Sequence, residues 1–312
     1  MRDLITKVLL CTLAAALTVS CGDATGRLPG STGRPSEVLL AGDTSGIVAA
    51  ALVEDTEALP QPEPMFDVSR SRTDRLNATE RLERNIVVAD INPWLFTRTS
   101  VRYERNVYAA PQVIVYISAP SAEALRRDIS RCHIERLLLQ NELTAYATRL
   151  QKHHNRTIED ELRRTFGCDI LVPEGMKVNL RGRNFIWLSD NNPVKMGNIC
   201  LYTSENRDSV MRMNLKGETD LMFMSTVAGS VASSTGATRD GLKVTIRRGL
   251  WQMEGDAMGG PFMSRAVHTS GGHVVVAEAF VFAPGEKKRD IMRRLEASVQ
   301  TMRPAGKSRK SK

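Results

Sequence analysis

One short segment in the second half of the chain combines carboxylates, a guanidinium group, glycines and a tryptophan. Glu254 and Asp256 are two residues apart, so on a strand both carboxylates would share a face, as the carboxyl pair of a glycosidase requires. Trp251 would stack on a sugar or a peptide, and glycines let a backbone approach a ligand closely. The candidate ligand-binding residues of this segment are Arg248, Trp251, Glu254, Asp256, Gly259 and Gly260.

The same segment also fits a tight turn between two core strands, with Trp251 as an anchor in the hydrophobic core. We favour this second interpretation, because the sequence places no third polar group that would complete a catalytic set. The chain contains neither a Gly-x-Ser-x-Gly nucleophile elbow nor a His-Glu-x-x-His, phosphate-loop or Cys-x-x-Cys motif. Enzyme activity stays open, with these missing motifs weighing against it. Catalytic residues are unassigned, and the sequence predicts neither a metal site nor a cofactor.

The N-terminus has the three parts of a secretory signal peptide over residues 1–20. Arg2 and Lys7 supply positive charge, and the apolar stretch that follows is shorter than the roughly 20 residues needed to span a bilayer. Cys21 comes directly after Ser20 in an arrangement that resembles a lipobox, although Thr18 stands where the commonest lipobox has Leu. In a lipobox the thiol is acylated and the cysteine becomes the first mature residue. We therefore predict that palmitate-type acyl chains on Cys21 anchor the mature chain in a membrane.

This signal predicts a lipid-anchored protein of the cell envelope, with the outer membrane favoured over the inner. Position 22, directly after Cys21, is Gly and not the acidic residue that enteric bacteria use to hold lipoproteins in the inner membrane. The expected partners are the membrane, through the lipid, and an envelope protein or glycan. Nucleic acid is not an expected partner, because the formal net charge of +8 comes without an aromatic-studded basic motif.

Three further cysteines lie beyond the signal region, and their spacing is not that of a metal site. They are Cys132, Cys168 and Cys200. The envelope permits disulfides, but a chain of this length buries a large core without covalent staples. We expect free and mostly buried thiols, with one disulfide as the alternative.

Composition and hydrophobic patterning divide the mature chain into successive regions. A flexible Gly-, Ser- and Pro-rich tether is expected over 21–36, and a basic disordered tail over 304–312. Between them we expect a first α+β unit over 37–120, a connecting helical region over 121–166 and a second α+β unit over 167–303. Runs of adjacent strands with helices at their ends indicate an α+β class with largely antiparallel sheets and flanking helices.

Capping residues and apolar periodicity predict the helices. A helix over 45–59 would end at Pro60, and a last helix is expected over 286–302. Ser121 is expected to cap the long helical region, and Thr157 to cap a second piece that ends at Gly167.

Short anchors recur in the same order in the two halves. Residues 85–88, Asn-Ile-Val-Val, resemble residues 198–201, Asn-Ile-Cys-Leu, and residues 115–120 resemble residues 280–284. Residues 115–120 and residues 280–284 each precede a basic helix that contains Arg-Asp-Ile. The hypothesis is two tandem copies of one helix–strands–helix unit, and the alternative is coincidence among short strand-and-turn patterns.

Several motifs together resemble the family called domain of unknown function 4837. They are Pro-Gln-Pro-Glu-Pro-Met-Phe at 60–66, Gly-Leu-Trp at 249–251, Met-Gly-Gly-Pro-Phe at 258–262 and Phe-Ala-Pro at 282–284. The likeness covers nearly the whole mature chain. It implies a lipoprotein of the Bacteroidetes type and brings no activity, so the fold above comes from the residues alone.

Two functions fit these residues. The first is a membrane-anchored, non-enzymatic binding or scaffold module, with a groove between two similar units as its ligand site. The alternative is a hydrolase of envelope glycan or peptide that uses Glu254 and Asp256.

Overall fold

Two β-sheets of different topology, connected and covered by helices, make up the fold. A computed structural model describes residues 28–72, 75–238, 240–269 and 272–305. The α+β class is confirmed. The predicted signal peptide and Cys21 lie outside the described residues, as do residues 306–312 of the predicted tail. Within the described ranges, no helix is long and apolar enough to cross a membrane.

The first sheet has five strands in the order β2-β1-β3-β5-β4, and most of its pairings are parallel. Strands β1, β2, β3 and β5 pair in parallel, while β4 adds an antiparallel edge. The central strands are nearly continuous apolar runs, as expected for parallel strands buried on both faces. The bounds are β1 Glu37–Ala41, β2 Asp67–Arg70, β3 Asn85–Ile91, β4 Ser100–Arg105 and β5 Val113–Ala119.

Four helices accompany and follow this sheet: α1 Ile47–Leu52, α2 Ala122–Asp128, α3 Ile134–Leu150 and α4 Arg156–Phe166. Ser121 caps α2 by accepting a hydrogen bond from the backbone N–H of Ala124, as predicted. The cap of α4 is Asn155, so the prediction of Thr157 is wrong, whereas Gly167 does end this helix in the left-handed conformation. Helix α1 is much shorter than the predicted helix over 45–59, because residues 53–59 turn away and pair with the following segment.

The second sheet has eight antiparallel strands in the order β10-β12-β13-β14-β9-β8-β7, with β11 also paired to β12. Helix α5 packs on one face, and helices α4 and α6 pack on the other. A separate pair joins β6 to β15. The bounds are β6 Cys168–Asp169, β7 Lys177–Gly182, β8 Phe185–Ser189, β9 Met196–Tyr202, α5 Arg207–Asn214, β10 Met224–Thr226, β11 Ala232–Ala237, β12 Lys243–Met253, β13 Gly259–His268, β14 Val274–Phe282, α6 Arg289–Gln300 and β15 Arg303–Pro304.

The two halves are not copies of one unit, so the tandem-copy hypothesis is wrong. The matched anchors do form strands, but β3 and β5 pair in parallel whereas their supposed counterparts β9 and β14 pair antiparallel. The expectation of largely antiparallel sheets holds for the second sheet, and the first sheet departs from it.

The described part of the predicted tether contacts the first unit. Gly30 and Thr32 form β-bridges with Ala110 and Glu83, and Ser36 is fully buried. Residues before the expected boundary at residue 36 therefore already contact the first unit. At the other end, Arg303 and Pro304 pair with β6.

Helix α6 joins the two units. Its apolar side packs on β9, β13 and β14, and it also packs against α3. Its first turn is held by the first unit: Glu63 accepts hydrogen bonds from the backbone N–H groups of Lys288 and Arg289 at 2.7 and 3.0 Å. Ser36 donates a hydrogen bond to Asp290 at 2.6 Å. These contacts fix the geometry of the space between the units.

Candidate functional site

A cleft of about 760 Å³ lies where the first unit faces β12, β13 and α6 of the second. Its apolar side chains come from both units, and its polar groups stand around them. This composition is typical of small-molecule and peptide sites. The apolar side chains that line it include Leu59, Met65, Ile134, Leu139 and Met292.

Three arginines of the second unit line the cleft. Arg289 and Arg293 stand one turn apart on α6, and Arg248 projects from β12 on the face that α6 covers. Arg289 is 4% exposed, and its guanidinium donors are occupied by contacts within the protein. It contacts Asp67 at 2.8 Å, Asp290 at 3.0 Å and the Pro64 carbonyl at 2.6 Å.

Arg293 is buried without a carboxylate in contact. It is 5% exposed, its guanidinium lies over the Phe66 ring at 4.9 Å, and it donates to the Ser36 hydroxyl at 2.6 Å. No ion pair joins Arg293 to any described acidic residue. Burial, followed by the nearby Arg289 charge, lowers the pKa of Arg293 from its ordinary value. A buried guanidinium with spare donors is a strong recognition group for an anion.

Arg248 pairs with Glu296, which also accepts a hydrogen bond from Gln300 at 2.9 Å. The Arg248 side chain is 34% exposed, so it is more accessible than Arg289 or Arg293. The cleft therefore offers one deep guanidinium with spare donors and one more accessible guanidinium.

The opposite wall is a turn of the first unit that carries acidic side chains. Glu54, Asp55 and Glu57 are placed at the rim, and Glu135 and Arg136 stand nearby at the start of α3. The turn is held by backbone hydrogen bonds, from the Thr56 N–H to the Glu63 carbonyl at 2.8 Å and from the Met65 N–H to the Glu54 carbonyl at 2.7 Å. The acidic rim is therefore a fixed feature of the first unit.

The six residues singled out in the sequence do not converge on one site. Arg248 lines the cleft. Trp251 is 2% exposed on the opposite face of the sheet, where its Nε1 donates to the Val281 carbonyl at 3.2 Å and its ring meets Phe280 edge-on. Gly259 and Gly260 lie against Trp251 on the neighbouring strand: a Cβ atom at Gly259 would meet the Trp251 carbonyl, and one at Gly260 would meet its indole nitrogen. The interpretation of Trp251 as a core anchor is thus confirmed.

Glu254 and Asp256 lie in the turn between β12 and β13. Hydrogen bonds from Ser225, at 2.5 Å, and Gln252, at 2.9 Å, lower the pKa of Glu254. Asp256 accepts a hydrogen bond from the Ala257 N–H at 2.6 Å. Neither carboxylate lines the cleft or the smaller cavity of the second unit.

That smaller cavity, of about 150 Å³, lies on the α5 face of the second sheet and is lined in part by Tyr202. Behind it, fully buried Glu278 accepts hydrogen bonds from the Tyr202 hydroxyl and from Arg207, both at 2.9 Å. Burial raises the pKa of Glu278. Glu278 on the sheet thus pairs with Tyr202 and with Arg207 of α5, so this network fastens α5 to the sheet.

Metal and cysteine chemistry find little support in the described residues. They contain no group of three or more His, Cys, Asp or Glu side chains that could hold a metal ion. Cys132, Cys168 and Cys200 are free thiols, the latter two buried, as expected. His154 pairs with Glu159 at 2.8 Å and lies outside the cleft.

Sequence reasoning missed Glu63, Arg289 and Arg293, whose roles depend on contacts between distant segments. One signal was present: two arginines stand four residues apart on a helix, with the apolar residues Ile291 and Met292 between them. In isolation that pattern indicates a solvated face, and only the position of the first unit buries it.

In comparison with known proteins, the two units match different family models. Residues 155–301 match the family model named Domain of unknown function (DUF4837), which confirms the resemblance for the second unit. Residues 32–151 match a different one, Domain of unknown function (DUF8532), so the likeness to the first family does not extend over the whole mature chain. No curated protein matches.

Among solved structures, the chain is similar to a crystal structure from Bacteroides thetaiotaomicron. The identity is 12%, the TM-score is 0.22, and the match covers 47% of this chain and 48% of that chain. The chain therefore spans about half the length of the structure it matches.

Proposed function

We propose a function from the cleft and from the N-terminal sequence, because the family model that residues 155–301 match, domain of unknown function 4837, carries no assigned activity. The chain is a lipid-anchored protein of the cell envelope that binds a ligand, without transforming it, in the cleft between its two units. The observation that carries the proposal is the cleft itself, about 760 Å³ in volume and lined by both units.

The cleft has the size and composition of a ligand site. Pockets of roughly 300–1,000 Å³ with apolar walls and a few placed polar groups hold drug-sized ligands. Here the apolar side chains come from helices and turns that are fixed by hydrogen bonds between the units, including those of Glu63. Such a site is preorganised, which lowers the entropic cost of binding.

Binding without catalysis is supported by the kinds of side chain that line the cleft. The described lining residues include no histidine, cysteine, lysine or tyrosine. Among the side chains that commonly act as general bases or nucleophiles, the described lining has only carboxylates and hydroxyls. Glu296, the carboxylate on the wall of the second unit, is paired with Arg248. The alternative of a hydrolase that uses Glu254 and Asp256 gains no support, because neither residue borders the cleft.

The anchor is proposed from the sequence around Cys21, and the outer membrane is the proposed location. The described chain starts beside the first unit, where Gly30 pairs with Ala110. A lipid on Cys21 would therefore hold the first unit close to the membrane, with only a short segment between them.

Mass spectrometry of the protein extracted from its native membrane tests the anchor. The expected N-terminal peptide begins at Cys21 and carries acyl chains, and Cys21→Ser releases the protein from the membrane fraction. An unmodified Cys21 on the mature chain would contradict lipid anchoring.

Hydrogen–deuterium exchange tests the cleft, with peptide and glycan fragments released enzymatically from the envelope as the probe. Ala51 lines the cleft on α1, and Ala51→Trp is designed to fill it. Ala50 is exposed on the same helix, so Ala50→Trp is the matched control. The fragments are expected to protect the turn at residues 53–59 in the native chain and in Ala50→Trp, but not in Ala51→Trp. Equal protection in all three proteins would place the ligand elsewhere.

A further inference from the structure

The two walls of the cleft carry opposite charge. Glu54, Asp55 and Glu57 stand on the turn of the first unit, and Glu135 and one cation, Arg136, lie nearby at the start of α3. The second unit contributes Arg248, Arg289 and Arg293, with one carboxylate, Glu296, among them. A ligand in this cleft meets an acidic rim on one side and guanidinium groups on the other.

The basic wall has spare capacity at Arg293. A guanidinium has five N–H donors, and the described contacts of Arg293 use one, toward the Ser36 hydroxyl. Ser36 in turn donates to Asp290, whose carboxylate is also bound by Arg289 at 3.0 Å. Asp290 and Glu142 therefore act on the Arg293 charge without touching its guanidinium. Burying a cation without a contacting anion is costly, and an anionic group in the cleft would remove that cost.

The acidic rim has spare capacity as well. Glu54, Asp55 and Glu57 form no ion pair with any residue in the described ranges, and Glu54 and Asp55 are exposed. An ammonium group at this rim would gain attraction from several carboxylates, weakened by solvent and salt. The rim therefore contributes less affinity than the buried arginine and a stronger dependence on ionic strength.

Apolar side chains line the cleft together with the charged groups. Met65, Leu139 and Met292 are among them, so a bound ligand also faces hydrophobic side chains. The planar guanidinium of Arg293 matches a carboxylate through paired hydrogen bonds. The complementary molecule has an anionic end, a cationic end and a partly apolar body.

We propose that the cleft binds a short peptide with free termini, its carboxylate against Arg293 and Arg248 and its ammonium group at the rim of Glu54, Asp55 and Glu57. This inference rests on the proposed binding function and names the ligand class. The peptide length follows from the cleft, whose volume of about 760 Å³ suits a few residues.

Chemical blocking of the ligand tests the proposal without altering the protein. The probe is a mixture of random tripeptides with free termini, compared by native mass spectrometry and calorimetry with the same peptides amidated at the C-terminus or acetylated at the N-terminus. Amidation is expected to lower affinity about tenfold or more, because it removes the charge-assisted contacts to Arg293. Acetylation is expected to lower it less, with a loss that shrinks at high salt. Equal binding of free and amidated peptides would overturn the proposal.

Two variants of neighbouring arginines assign the carboxylate site. Arg293→Met removes the buried charge and keeps the side-chain bulk, while Arg294→Met is the matched control on the exposed side of α6. The first is expected to reduce the difference in affinity between free and amidated peptides, and the second to leave it unchanged. An unchanged difference in a folded Arg293→Met protein would contradict the role of Arg293. If that variant does not fold, Arg248→Gln on the sheet provides the same comparison.

Failure of this inference is distinct from failure of the proposed function. Envelope fragments that protect the native cleft but not Ala51→Trp, with no discrimination between free and amidated peptides, would refute the ligand class alone. If fragments and peptides bind Ala51→Trp with the same affinity as the native chain, both the ligand class and the proposed binding site are refuted.

Discussion

The Glu63 carboxylate accepts a hydrogen bond from the backbone N–H of Arg289 at 3.0 Å, although the two residues belong to different units. A second bond, from the Lys288 N–H at 2.7 Å, goes to the other carboxylate oxygen. The first N–H groups of a helix have no partner within the helix, and a negative charge there also meets the positive end of the helix dipole. Glu63 thus caps α6 from the neighbouring unit.

Removing this cap is expected to destabilise the whole chain. Glu63→Ala leaves two buried N–H groups without acceptors, which costs about 1–3 kcal/mol. Urea denaturation followed by circular dichroism measures the change in the free energy of unfolding. Glu174→Ala, at a carboxylate whose side chain is 72% exposed, is the control and should change stability little. Equal midpoints for both variants would contradict the capping role.

The ion pair between Asp67 and Arg289 predicts a pH dependence of stability. The hydrogen bond from Arg289 holds the pKa of Asp67 below its ordinary value, against the opposing effect of burial. A carboxyl group whose folded-state pKa is lowered stabilises the fold above its unfolded-state pKa of about 3.9 and loses that contribution as the pH falls through the folded-state pKa. Because the Asp67 side chain is 45% exposed, solvent screening keeps this contribution below about 1 kcal/mol.

Asp67→Asn is expected to be less stable than the native chain at pH 7, and the difference should vanish in strong acid. Chemical denaturation at a series of pH values below 5 measures it. Asp160→Asn, at an exposed position of α4, is the control and should track the native chain throughout. A difference that persists unchanged at the lowest pH would show that the asparagine acts through packing and not through lost charge.

The sequence predicted many elements but could not predict how they pair. The apolar runs that became β3, β5, β9 and β14 are visible locally, and so is the apolar side of α6. Whether two such strands lie parallel or antiparallel depends on the intervening chain. After β3 the chain passes to the far side of the position that β5 will take and forms β4 there. It then turns back to form β5 between β4 and β3, so that β3 and β5 are parallel neighbours. Similar local anchors therefore gave the false impression of a duplication.

The candidate site was less predictable than the fold, because its groups come from distant segments. Arg293 contacts Ser36 across 257 positions of the chain. The local pattern around Trp251 fits both a ligand site and a packed turn, and the structure shows the second: Gly260 leaves room for the Val281 carbonyl of β14, a contact with a distant strand.

Gly260 gives a direct test of that packing. A Cβ atom added at this position would overlap the carbonyl oxygen of Val281 and approach the Trp251 indole nitrogen to 3.0 Å. Gly260→Ala is therefore expected to lower stability by about 1–3 kcal/mol or more, since backbone must shift. Gly236 lies in β11, where an added Cβ would have no described atom within 4 Å, so Gly236→Ala is the matched control. Similar thermal midpoints for the two variants would contradict the packing role of Gly260.

Burial of the thiols predicts how the cysteines react. Burial raises the pKa of Cys168 to about 12 and raises that of Cys200 well above its ordinary value. Burial also raises the pKa of Cys132, which is only partly buried. Since the thiolate is the reactive form, alkylation at pH 8 followed by peptide mass spectrometry should modify Cys132 slowly in the folded chain. Cys168 and Cys200 should react only after unfolding in urea, at which point all three should be labelled. Rapid labelling of Cys200 under native conditions, or a disulfide among the three, would show that the second sheet opens or that its core is built differently.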